Sequence, residues 1–61
     1  MTYYDLYLEG GHIVPIQDPR DDIAELWRAY ISVDHIFINA ISGPAIIRSD
    51  KLVAIIRVTV S

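Results

Sequence analysis

The sequence predicts an α+β domain with the order β-β-α-β-β-β, in which one amphipathic helix packs on a mostly antiparallel five-stranded sheet and the whole assembles as an oligomer. Three observations predict it. Isoleucine and valine supply 16 of the 61 residues, and β-branched side chains fit strands better than helices. Turn-forming pairs (Gly10-Gly11, Ser42-Gly43 and Asp50-Lys51) cut the apolar stretches into strand-length pieces. Between them, one segment spaces its apolar residues as a helix does.

The first hairpin is expected from Tyr3 to Ile16. Gly10-Gly11 supplies the positive φ angles of a tight two-residue turn, which would set Glu9 opposite His12, Leu8 opposite Ile13 and Tyr7 opposite Val14. Pro15 has no N–H for a ladder hydrogen bond, so this second strand should be an edge at that point. The helix is expected over residues 19–31. Asp18 would be its N-cap and Pro19 its first residue, with acids in the first turn. Ile23, Leu26, Trp27, Tyr30 and Ile31 form its apolar stripe. A second hairpin pairs residues 35–41 with 44–48 around Ser42-Gly43. A last strand, Leu52 to Val60, then follows the turn Asp50-Lys51 and pairs with its predecessor.

These registers divide the sheet into two faces. One carries Ile36, Ile38, Ala40, Ala45, Ile47, Leu52, Ala54, Ile56 and Val58, extended by Leu6, Leu8 and Ile13. It reads as the core, with Trp27 filling the space over the alanines. The other carries Phe37, Asn39, Ile41, Ile46, Arg48, Val53, Ile55, Arg57 and Thr59, joined by Tyr3, Asp5, Tyr7, Val14 and Ile16. A solvated face should be mainly polar. This one is about half large apolar residues, and one helix cannot cover both sides.

Size sharpens the point. A chain of this length buries only about 60% of the surface its unfolded form exposes, so small domains commonly need a staple. There is no cysteine, which removes disulfides and thiolate metal sites, and the two histidines have no metal-ligand spacing. Oligomerisation is the staple left, and the expected partner is a second copy of the chain. The net charge of −3, with one lysine and four arginines and no basic run, argues against nucleic-acid binding. The longest apolar run is far short of the ~20 residues of a membrane span. No signal peptide is seen, and a soluble cytoplasmic protein is expected.

No catalytic, metal or cofactor motif stands out. Asp34-His35 reads as a polar linker, and Glu9 and His12 as a hairpin-tip pair. The serines lack a nucleophile-elbow setting, and Gly10-Gly11 opens no helix that would make it a phosphate loop. Asp18, Asp21 and Asp22 lack calcium-loop spacing and suit a helix start. The residues that invite a ligand are Arg48, Arg57 and Asn39 among Phe37, Tyr3 and Tyr7, since arginine beside aromatics recognises phosphate and stacks on a base. The plainer reading pairs the arginines with Asp5 or Asp50, or leaves them in solvent. The expectation is a small non-enzymatic oligomeric binding protein with a small anionic, nucleotide-like ligand or a protein partner at its subunit junctions. Small acidic inhibitor and sequestering proteins of phages and mobile elements have this size and composition, an analogy of size and composition and not of fold. The alternatives are a structural subunit of a larger assembly and a small enzyme with a site shared between chains.

Overall fold

The computed structural model describes residues 2–59 and holds one helix packed on a five-stranded antiparallel sheet. The elements are β1 (Thr2–Leu8), β2 (Ile13–Asp18), α1 (Ile23–Ile31), β3 (His35–Ala40), β4 (Gly43–Arg48) and β5 (Leu52–Val58), with a 3-10 turn at Ser49–Lys51 before β5. Val60, expected at the end of the last strand, lies outside the described residues. No helix among the described residues is long and apolar enough to cross a membrane.

The first hairpin forms one residue out of the expected register. Leu8 N–H donates to the His12 carbonyl, so the loop has three residues, Glu9, Gly10 and Gly11. Both glycines have positive φ, 93° and 87°, which side chains resist. A one-residue slip turns a strand over. Val14 now faces Leu6 and Ile16 faces Tyr4, so these two enter the core, while Ile13 faces outward opposite Tyr7.

The helix also starts later than expected. Its N-cap is Asp22, whose carboxylate accepts from Ala24 N–H at 3.0 Å and Glu25 N–H at 3.4 Å. Asp18 is held elsewhere, at the end of β2, by Arg20. The nine-residue helix buries Leu26 and Tyr30, one turn apart. Trp27 is only half-buried, so it does not plug the core as expected, and Ile23 and Ile31 overhang at the two ends.

The second hairpin keeps its expected faces with a register moved by two. Its turn is Ile41-Ser42, Ala40 faces Gly43, and Ile36, Ile38, Ala45 and Ile47 point inward. The last strand departs most. β5 pairs with β1, giving the order β4-β3-β2-β1-β5, and does not touch β4 in the ladder. A bulge opposite Tyr7 and Leu8 inserts Val53 and reverses the alternation beyond it. Ile55 and Arg57 therefore share a face with Leu6 and Tyr4, and Ala54, Ile56 and Val58 turn outward.

This order forces the sheet to curl. A flat sheet would hold β4 and β5 about 19 Å apart, four strand spacings. The chain from Arg48 to Leu52 reaches at most about 15 Å. Pro15 shows where the sheet gives way. Leu8 and His12 form a hydrogen-bonded pair, and pairs alternate from there, so the edge of Pro15 that lacks an N–H faces β3. Its carbonyl accepts from Ile41 N–H at 3.0 Å, and Ile16 opposite Ala40 is the one ladder pair between β2 and β3. The β3–β4 hairpin thus leaves the sheet after a single pair and folds its inner face over the core. That core consists of Tyr4, Leu6, Ile16, Leu26, Tyr30, Ile36, Ile38, Ala40 and Ile47.

Candidate functional site

The outer face of the β3–β4 hairpin is built from three cross-strand pairs: His35 with Arg48, Phe37 with Ile46, and Asn39 with Pro44. The two-residue turn makes Ala40 and Gly43 the hydrogen-bonded closing pair. Alternation then makes these three the non-hydrogen-bonded pairs, whose side chains stand closest together. Pro44 fits at such a position because its missing N–H would point to the free edge. Phe37 is 77% exposed and Ile46 63%, although each is large and apolar. A shallow depression of about 550 Å³ lies here, lined by Phe37, Ile38, Asn39, Pro44, Ala45 and Ile46. A smaller polar recess of about 440 Å³ is lined by Asp34, His35, Arg48, Ser49 and Asp50. In it Arg48 Nη2 donates to Asp50 Oδ2 at 3.0 Å, with both side chains more than half exposed, so the pair is weak and easily exchanged.

The six residues singled out from the sequence do not form one constellation. Phe37, Asn39 and Arg48 share the outer face of the β3–β4 hairpin. Tyr3 and Tyr7 lie on the outer face of β1, with Asp5 between them. Arg57 is on the helix side of β5, where its Nη1 donates to the Asp21 carbonyl at 3.5 Å. The pairing of β5 with β1 separates it from Arg48 on β4, and the bulge at Val53 turns it away from Tyr3 and Tyr7 on the outer face of β1.

Sequence reasoning missed a second cluster, where the chain passes from β2 to α1. Asp18 and Arg20 make a two-pronged ion pair, Nε to Oδ1 at 2.9 Å and Nη2 to Oδ2 at 3.0 Å, and Arg20 N–H also donates to Oδ1. Arg20 lies over the Tyr30 ring, 5.8 Å from its centre, and the Tyr4 hydroxyl donates to the Arg20 carbonyl at 2.8 Å. The bonds from Arg20 hold the Asp18 carboxyl below its ordinary value against the opposing effect of burial. Burial first, and the Asp18 carboxylate next, push the Tyr30 phenol up to about 12. Burial likewise raises the Tyr4 phenol, with Arg57 opposing. These bonds tie the end of β2 to the loop, and among the described residues no buried side-chain polar atom lacks a partner, so the cluster is a clamp on the helix entry. The spacing Asp18-x-Arg20 was the available signal, hidden by the reading of Asp18 as a cap.

Among the described residues no three His, Cys, Asp or Glu side chains gather in a way that would hold a metal ion. The chain matches no protein-family model, no curated protein and no solved structure.

Proposed function

We propose that this chain is a small non-enzymatic binding protein that acts as a homo-oligomer and holds its ligand where copies meet, in the manner of an inhibitor or sequestering protein. The observation that carries the reading is the exposure of Phe37 and Ile46 side by side on a sheet face. Paired large apolar side chains standing in water are a feature of surfaces made to be covered. Exposed Ile13, Val53 and Ile56 add to the apolar surface elsewhere. A small anionic ligand with a flat ring suits the rim of this face. Asn39 offers a donor and acceptor there, and Arg48 a planar cation that can be released from Asp50 to stack on the ring.

Native mass spectrometry of the wild type and of Arg48→Ala tests the proposal. The expected result is a discrete oligomer carrying extra mass, and an Arg48→Ala oligomer of the same size without it. An oligomer with no extra mass removes the small-ligand part. A monomer without extra mass removes the whole reading.

A further inference from the structure

We infer that the outer face of the β3–β4 hairpin is an isologous interface with a second copy of this chain, packed face to face about a two-fold axis that crosses the strands near Phe37 and Ile46. The inference rests on the oligomeric reading above and names the surface and its occupant.

Three observations select this surface. The first is charge. The chain carries −3, which opposes self-association wherever acids lie. The outer positions of β3 and β4 (His35, Phe37, Asn39, Pro44, Ile46 and Arg48) contain no carboxylate. The outer face of the β1–β2–β5 layer has Asp5 at its centre, between Pro15 and Ile56, and covering it would strand a charge. Acids also crowd the start of the helix, at Asp21, Asp22 and Glu25. The β3–β4 face is thus one where two acidic copies meet with no carboxylate at the contacting strand positions.

The second is that both edges of the sheet are blunted. On β4, Pro44 removes an outward N–H from the free edge, and on β5 the bulge at Val53 interrupts the ladder. Copies joined edge to edge would meet these defects, whereas copies joined by the face do not.

The third is area. All six outer side chains are exposed, and covered completely they would offer on the order of 600 Å² per copy, so two copies bury at most about 1,200 Å², the lower end of specific interfaces. Such an interface, with an aromatic anchor at its centre, suits a dimer populated at micromolar concentration. With strands of the two copies running in opposite directions, His35 and Arg48 of one lie over the uncharged turn end of the other. The cations of the two copies stay apart.

Sedimentation equilibrium across a dilution series of the full chain tests this, with Phe37→Asp, Ile46→Thr and, as a control of equal charge change, Val53→Asp. Circular dichroism checks that each is folded. The inference expects a wild-type dimer, unchanged by Val53→Asp and weakened at least ~100-fold by Phe37→Asp. Ile46→Thr, which is gentle on the strand, should weaken it by a smaller factor in the same direction. A wild-type oligomer that both β3–β4 variants leave intact overturns the inference and spares the oligomeric reading. A wild type that is monomeric at every concentration overturns both.

Discussion

Replacing Asp18 by Asn tests the clamp at the helix entry without changing its shape. Asp18 is mostly covered and accepts three hydrogen bonds from Arg20, two from the guanidinium and one from the backbone. Charge-assisted bonds are worth about 1.5–3 kcal/mol when removed from a buried site. The Arg20 side chain is partly in solvent, which screens the pair, and Asn can still accept from the Arg20 N–H. The net loss is therefore about 1–2 kcal/mol at pH 7, or roughly 5–15 °C in Tm for a domain of this size. The pH dependence is the sharper part. A lowered native pKa gives stability that is present above the unfolded value near ~3.9 and lost as pH falls through the native one. The gap between wild type and Asp18→Asn should be full at pH 7 and shrink steadily below about pH 4. Urea titrations from pH 7 to pH 2, at one protein concentration, measure it. A gap that stays constant over that range would show that the ion pair contributes nothing and would sink the reasoning.

Two further changes probe the core and the phenol above it. Leu26→Ala, at a fully buried position, should cost about 3–4 kcal/mol by chemical denaturation, and Trp27→Ala, at a half-buried one, clearly less. A larger loss for Trp27→Ala would restore the tryptophan to the centre of the core. Tyr30, with its phenol raised to about 12, favours the folded state below the unfolded value near ~10, and this stability is lost as pH rises toward 12. In denaturation measured from pH 9 to pH 12, Tyr30→Phe should lose less stability with rising pH than the wild type. Parallel curves would contradict the burial of that hydroxyl.

The fold class and the order of elements were legible in the sequence because the signals are local. β-branched runs, glycine pairs and one helical stripe each act over a few residues. The inward set on β3, Ile36, Ile38 and Ala40, followed from alternation alone and survived a two-residue change of register, since an even shift preserves faces. What could not be read was set by single residues with long reach. Gly10-Gly11 suits loops of two or three residues, and the choice decides whether Ile13 or Ile16 is buried. The partner of β5 depends on the curl of the sheet, which starts from the interrupted ladder at Pro15. Pro15 suggested that β2 is an edge at that point, whereas β2 is the middle strand and its ladder to β3 is the single pair Ile16 with Ala40 beside the proline. The Val53 bulge has no sequence signature, and it turns Arg57 away from the outward Tyr3 and Tyr7, while the pairing of β5 with β1 separates it from β3 and β4. Asp18 could serve as a cap or as an ion-pair partner, and a second cap at Asp22 freed it for Arg20. The exposed pair at Phe37 and Ile46 was legible as an excess of apolar residues on one face, without the hairpin geometry that isolates it.

The absence of cysteine from the chain allows the most direct test of this account, because one introduced thiol reports on one place. Ile46→Cys sits beside the inferred two-fold axis, and Ile13→Cys, also on an exposed outward position, lies on the other layer of the sheet. Under mild oxidation at micromolar concentration, the account predicts that Ile46→Cys is trapped rapidly as a disulfide-linked dimer while Ile13→Cys stays largely unlinked. Equal trapping of the two, or faster trapping through Ile13→Cys, would contradict it.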